Sequence, residues 1–373
     1  MSGNKGITVV ITANTSWYLY NFRKNTILAL IAEGNKVCAV APEDTYSKKL
    51  EDLGCKFIAI NIDSGGTNPF KDLSTFYNFY KIYRNQEVDV VLNFTPKNNI
   101  YSTLAAKLAD VKTINNIAGL GTLFISESIA SKIARFLYKY SQSKADFIFF
   151  QNEDDRALFK RHNIAQNVAS DRLPGSGADL SRFKVSPAPD DGVVRFLLIA
   201  RMLFDKGIGQ YVEAARVLKS KYGNSVEFRL LGFLDVDNPS AVSKAQMNAW
   251  VDEGVVNYLG TSDFVEAEIA QVDCMVLPSY YREGVPKSLL EAGAMGKPIV
   301  TTDNVGCRET VEDGYNGFIC APRSDKSLVV ALNKIIIMSH EERLKFGEQS
   351  RLKIEREFDE RIVINKYLKA TRL

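Results

Sequence analysis

Short apolar runs rich in β-branched residues recur along this chain, separated by stretches in which apolar positions return every three or four residues. In the first half such runs fall near Ile7 to Thr12, Val37 to Ala41, Phe57 to Ile60, Val88 to Phe94, Thr113 to Asn116 and Phe147 to Gln151. They return near Val194 to Ala200, Glu227 to Leu231, Val256 to Leu259, Cys274 to Leu277, Ile299 to Thr302 and Gly317 to Cys320. Near-continuous apolarity predicts strands buried on both faces, and the helical stretches between them predict parallel α/β sheets. The fold class is therefore α/β, with two Rossmann-like halves.

Between the halves lie Leu173 to Phe183 and then Ser186 to Gly192, whose density of Pro, Gly and Asp marks a linker. The expected division is residues 1–180 and residues 192–356. A last helix over 357–373 is amphipathic through Phe358, Ile362, Ile364, Tyr367 and Leu368.

Composition narrows the class. At 373 residues the chain suits two ordinary domains, and 46% hydrophobic with 24% charged residues is ordinary for a soluble protein. No apolar run approaches the roughly 20 residues that cross a bilayer, and Met1 to Lys5 leads straight into a strand, so a cytoplasmic location is expected. The five cysteines form no Cys-x-x-Cys pair and read as buried thiols. With only His162 and His340 present, a histidine-based metal site is not expected. The net charge of +3 is carried by the first half, but its basic residues are dispersed and no nucleic-acid motif accompanies them.

The chemistry concentrates in Pro278 to Gly296. A strand-like run ends at Leu277, a polar loop follows, and a helix is ended by Gly296-Lys297-Pro298. The backbone amides of Gly284, Val285, Lys287 and Ser288 would meet at the positive end of that helix, an anion site, with Pro286 in its first turn. Glu283 and Glu291 stand eight residues apart, about two turns at roughly 3.6 residues per turn. Carboxylates accept hydrogen bonds from hydroxyls, so a phosphate between two hydroxyl-bearing groups describes a nucleotide sugar. A solvated helix face accounts for an isolated pair of carboxylates, but not for the Gly-Val-Pro turn or for Ala292, Gly293, Ala294 and Gly296.

A second cluster supports this reading. Arg201 and Lys206 stand at a strand end and a helix start, where two cations can converge on a diphosphate and stabilise a departing nucleoside diphosphate. The first strand leads not into Gly-x-Gly-x-x-Gly but into Ala13 to Arg23, which argues against a dehydrogenase-type dinucleotide site. Lys97 in Thr95-Pro96-Lys97-Asn98-Asn99 precedes a helix expected over Ile100 to Ala109, and Gly119 and Gly121 end another strand at the same sheet edge. Asp235-Val236-Asp237 mimics a metal motif within a turn-forming loop, and Glu153-Asp154-Asp155 reads as an acidic first helical turn.

These residues resemble the E-x7-E motif of the retaining family 4 glycosyltransferases, which have the GT-B fold, and the likeness covers nearly the whole chain. The resemblance implies two Rossmann-like domains with parallel sheets facing an interdomain cleft. It implies that Arg201 and Lys206 hold the donor diphosphate, Glu283 the donor hexose and Glu291 the ribose. The amides from Gly284 to Ser288 would hold the distal phosphate. Gly232, Leu259 and Gly260 resemble positions flanking the nucleotide base. The loop ending Tyr20-Asn21-Phe22-Arg23 departs from the Gly-Gly pair of many members. It resembles a branch that adds N-acetylgalactosamine to lipid-linked sugars, and with it Arg23, Lys97, Asn98, Gly119 and Gly121 become acceptor-side candidates. The implied reaction moves a hexosyl unit from a UDP-sugar to a polyprenyl-diphosphate-linked saccharide without a metal cofactor. A front-face reaction and a covalent intermediate on a carboxylate both remain open, as do a GT-B UDP-N-acetylhexosamine 2-epimerase and a non-catalytic nucleotide-sugar-binding protein. The helices over Phe70 to Tyr83 and Ile129 to Ser143 are aromatic and basic. Each fits the cytoplasmic surface of an inner membrane or packing of one face on its own sheet.

Overall fold

The computed structural model describes residues 6–63, 68–119, 129–234 and 236–372. The chain divides into two units, one comprising residues 1–176 with 361–373 and the other 177–360. The first unit runs through β1 (Thr8–Thr12), α1 (Ser16–Ala32), β2 (Lys36–Ala41), α2 (Ser47–Glu51), β3 (Lys56–Ala59) and α3 (Pro69–Asn85). It continues through β4 (Val90–Asn93), α4 (Pro96–Ala109), β5 (Lys112–Ile117), α5 (Ile129–Gln142), β6 (Phe147–Phe150), α6 (Glu153–Arg161) and β7 (Ala169–Arg172). Its sheet is parallel throughout, in the order β3-β2-β1-β4-β5-β6-β7.

The second unit contains β8 (Val194–Ile199), α7 (Ile208–Tyr222), β9 (Val226–Leu231), α8 (Lys244–Asp252), β10 (Asn257–Tyr258), α9 (Val265–Ala270) and β11 (Cys274–Leu277). After these come α10 (Lys287–Ala294), β12 (Ile299–Thr302), β13 (Gly317–Cys320), α11 (Asp325–Ile337) and α12 (His340–Glu357). The parallel sheet has the order β10-β9-β8-β11-β12-β13. The final helix, α13 (Glu360–Arg372), packs on the first unit's sheet through Val363, Tyr367 and Ala370. Both sheets are α/β and parallel, as the buried apolar runs dictate: Val9 to Ile11 and Cys274 to Leu277 are 2% exposed or less.

Three expectations change. β7 was not expected, because Ala169-Ser170-Asp171-Arg172 has no apolar run; as an edge strand it needs only ladder hydrogen bonds on one side. α4 begins at Pro96, not at Ile100, so Lys97 and Asn98 lie in its first turn, where proline costs no hydrogen bond. The buried stripe of α13 is Val363, Tyr367 and Ala370, with Ile362 and Ile364 only half-buried, and Phe358 belongs to the core of the second unit. All five cysteines are buried, and Glu153 to Asp155 form the first turn of α6, capped by the Asn152 side chain accepting from the Asp155 amide at 2.7 Å.

Lys297 follows α10 and is 1% exposed, its ammonium donating to the Ala270 carbonyl at 3.2 Å. Burial lowers its pKa from 10.5 to about 8. Because the native lysine loses its proton at lower pH than the unfolded one, stability gained from this group rises between about pH 8 and 10.5. Denaturant titrations of Lys297→Met across that window are expected to show this rise abolished.

Candidate active site

Two loops at the strand C-termini of the second sheet meet. A turn at Phe204–Lys206 follows β8, and Gly207 then opens α7 with φ +79°, so close to the β11 loop that a Cβ would lie 2.2 Å from the Pro278 carbonyl oxygen. That approach brings the Lys206 ammonium onto the Glu283 carboxylate, with the two side chains 14% and 12% exposed. The Ser279 hydroxyl donates to the same carboxylate oxygen at 2.8 Å. The Asp205 carbonyl accepts from the amides of Tyr280 and Tyr281, each at 3.1 Å, and the Asn304 amide donates to the Tyr281 carbonyl at 2.6 Å. The Lys206 ammonium lies 5.3 Å from the Tyr281 ring centroid. Burial raises the Tyr281 phenol and Glu283 raises it further, while Arg201, exposed just after β8, draws it down. Arg201, Lys206, Tyr281 and Glu283 are thus one electrostatic cluster.

The helix tip is also in place, one residue later than expected. Pro286 is the N-cap with ψ 120°, and α10 starts at Lys287, so Pro286 is not in the first helical turn. The amides of Leu289 and Leu290 donate to the Pro286 carbonyl, and Lys287 and Ser288 precede them in the first turn. Gly284 and Val285 are buried beneath it. Glu291 is buried one turn on, with the Lys287 ammonium 3.8 Å away; burial raises its pKa, and Lys287 and then Arg182 oppose that rise. Gly232 (φ +143°) donates its amide to the Gly260 carbonyl at 2.7 Å, beside the half-exposed Leu259.

The first unit places its candidates differently. The Arg23 guanidinium is buried, 4.3 Å over the Phe94 ring and within 6 Å of the Tyr18 and Tyr367 rings. One nitrogen donates to the Tyr18 hydroxyl at 3.3 Å, and its Nε and Nη1 have no hydrogen-bond partner. Residues 16–23 thus belong to α1 and not to a loop, and Arg23, expected as an acceptor-side contact, is buried among rings. The Lys97 ammonium pairs with Asp72 at 2.7 Å, joining α4 to α3. Asn98 is buried, donating to Thr12 at 2.6 Å and accepting from Thr95 at 2.6 Å. Gly119 stands after β5 with φ +98°; Gly121 and Asp235 lie outside the described residues.

Residues 181–353 match the family described as "Glycosyl transferases group 1", and residues 8–152 match "Glycosyl transferase 4-like". The N,N'-diacetylbacillosaminyl-diphospho-undecaprenol alpha-1,3-N-acetylgalactosaminyltransferase of Campylobacter jejuni is 32% identical over 94% of this chain and 94% of its own length. The chain belongs to the family 4 glycosyltransferases. A second relative of this glycosyltransferase is the Escherichia coli UDP-Gal:alpha-D-GlcNAc-diphosphoundecaprenol alpha-1,3-galactosyltransferase, 23% identical over 71% of this chain and 70% of that one. The fold matches Anabaena HepE, crystallised with UDP, at a TM-score of 0.77 with 16% identity, over 98% of this chain and 99% of that chain. The enzyme is thus a GT-B glycosyltransferase.

Ser279, Tyr281, Asn304 and Gly306 were missed in the sequence, since hydroxyl, phenol, amide and glycine carry no spacing signal by themselves. Gly306 (φ +81°) packs so tightly that a Cβ would fall 1.6 Å from the Gly284 carbonyl oxygen. Gly306→Ala is expected to cost about 2 kcal/mol or more by forcing both loops apart, a loss that differential scanning calorimetry reads as a lower midpoint of the second unit.

Proposed function

We propose that this enzyme transfers a hexosyl or N-acetylhexosaminyl unit from a UDP-sugar to a polyprenyl-diphosphate-linked saccharide in bacterial surface-polysaccharide or glycan assembly, with retention at the anomeric carbon. The observation that carries this reading is the Arg201–Lys206–Tyr281–Glu283 cluster at the strand C-termini of a Rossmann-like sheet. The names of the relatives support it, one acting on a diphospho-undecaprenol-linked sugar and the other using UDP-galactose with such an acceptor.

In this reading Arg201, Lys206 and the tip of α10 receive the diphosphate, so the leaving charge needs no metal. Lys206 exchanges its ion pair with Glu283 for the phosphates as the donor enters, and Glu283 turns to the hexose hydroxyls. Glu291 takes the ribose diol, and Gly232, Leu259 and Gly260 flank the base. A front-face route, in which the departing phosphate accepts the acceptor's proton, suits a Glu283 that turns to the hexose hydroxyls while the Ser279 hydroxyl still donates to its carboxylate. The acceptor is assigned to the first unit, near Lys97 and Gly119, with Arg23 joining α1 to the end of β4 and to α13 through their rings.

The epimerase alternative would need an acid/base set. His162 caps α6 and His340 opens α12, so neither stands at the strand C-termini. The membrane surface is assigned to α3 and α5, which both pack on α4. Phe70, Leu73 and Tyr77 of α3 and Ile133, Phe136 and Tyr140 of α5 are all at least half exposed, beside Lys71, Lys132, Arg135 and Lys139. Among the described residues no helix is long and apolar enough to cross a membrane. The enzyme would then work at the cytoplasmic face of an inner membrane.

UDP release from a panel of UDP-sugars, with and without a polyprenyl-diphosphate-linked acceptor, tests the activity; acceptor-independent silence across the panel would leave only a binding protein. Lys206→Ala and Arg201→Ala are each expected to lower kcat by about 100-fold or more, and near-normal turnover in both would contradict their role. For the membrane face, Phe70→Glu with Phe136→Glu is expected to abolish co-sedimentation with anionic phospholipid vesicles at low salt, and wild-type protein that stays in the supernatant would refute the assignment.

A further inference from the structure

The first unit carries a lysine–carboxylate pair built like that of Lys206 with Glu283. The Lys97 ammonium donates to one Asp72 oxygen at 2.7 Å, and the Tyr101 hydroxyl donates to the other at 2.7 Å. The Lys97 and Asp72 side chains are 18% and 14% exposed, close to the values of the second unit's pair. There too the carboxylate accepts from a hydroxyl, that of Ser279. Lys97 is the second residue of α4, where the chain has just left the C-terminal end of β4, and Tyr101 lies one turn further along the same helix. Asp72 comes from the first turn of α3. Burial and then the Asp72 carboxylate hold the Tyr101 phenol in its protonated form, so it remains a donor.

We infer that Asp72 is a positioning residue for the acceptor: with Tyr101 fixing its carboxylate, it holds the Lys97 ammonium at the sheet edge for the diphosphate of a lipid-linked sugar. This inference rests on the reading that the acceptor lies near Lys97. An ammonium has three N–H groups, so a bond to Asp72 leaves others for a ligand without breaking the pair. A lysine stem that is free in water must be ordered before it meets a phosphate, and a pair made beforehand removes that cost. The same arrangement, a helix carboxylate ordering the lysine that meets phosphate oxygens, operates in phosphoryl-transfer sites. Asp72 repels the incoming anion little, because each of its oxygens is already engaged by a donor.

Two further observations favour this role over a plain tie between helices. α3 and α4 are already joined by an apolar cluster that includes Phe79, Tyr83, Ala105 and Ala106, and by the Tyr83 and Ser102 hydroxyls at 2.5 Å. A charged pair at the ligand edge adds little to that union. Asp72 also stands between Phe70 and Leu73, which are 82% and 64% exposed. One turn of α3 thus offers apolar side chains to a bilayer and a carboxylate to Lys97, the same succession of apolar chain and charge that a polyprenyl diphosphate has.

Initial rates are measured on the full chain with the UDP-sugar that supports turnover, varying a polyprenyl-diphosphate-linked acceptor and then the donor. Asp72→Asn keeps the shape of the side chain and an acceptor for Tyr101. It is expected to raise the acceptor KM about tenfold, the rotamer freedom of one lysine expressed as affinity, with kcat and donor KM within about twofold of wild type. Tyr101→Phe, which loses one neutral hydrogen bond, is expected to raise the acceptor KM about threefold. Lys97→Met is expected to raise it at least as far as Asp72→Asn. Adding Asp72→Asn to Lys97→Met is expected to change little more, since no ammonium remains to be held. Parallel losses in kcat and both KM values, or additive losses in the double variant, make the pair a structural tie and overturn the inference. An acceptor KM that falls in Asp72→Asn makes Asp72 a competitor for the lysine and overturns it too. If Lys97→Met leaves the acceptor KM unchanged, the acceptor assignment itself fails; if Lys97→Met raises it while Asp72→Asn does not, only the role of Asp72 fails.

Discussion

The second unit is built around one ion pair. Lys206 and Glu283 come from loops after two adjacent strands, β8 and β11, and their contact requires those loops to lie against each other. Gly207 permits the approach because it has no Cβ to strike Pro278, and Ser279, Asp205 and Asn304 hold the backbone on either side. An exposed lysine–carboxylate pair contributes little, but here both side chains are largely withdrawn from water and share a hydrogen-bonded loop. Such a pair is a ready partner for an anion, since a diphosphate can replace the carboxylate on the ammonium while sugar hydroxyls replace the ammonium on the carboxylate.

The two acids of the motif are separated by their cations. Glu283 lies with Lys206 and Ser279, whereas Glu291 lies with Lys287. Each acid thus has its own means of remaining an acceptor. All of these partners come from loops and helices of the second unit.

The first unit shows the opposite economy. Its buried polar groups satisfy one another: Asn93 donates to Asn115 at 2.8 Å across the β4–β5 register, and Asn115 donates to Gln142 at 2.8 Å. Arg23 is placed differently, a buried guanidinium facing aromatic rings. Its ring partners come from α1, from the end of β4 and from α13, so one cation holds three elements that are far apart in the chain.

The apolar runs determined the two parallel sheets, because strands covered on both faces favour near-continuous apolar residues, and the edge strand Ala169–Arg172 escaped since an edge imposes no such demand. That Glu283, Arg201 and Lys206 lie in loops after strands of the second sheet was legible too, since apolar runs end just before each of those loops. What the order of residues did not determine was which acid meets which base, whether Arg23 faces water or rings, and that Tyr281 joins the charges. Those are contacts between segments far apart in number, such as Lys206 with Glu283 or Arg23 with Tyr367, and a long-range contact is chosen by how loops pack, not by any local period.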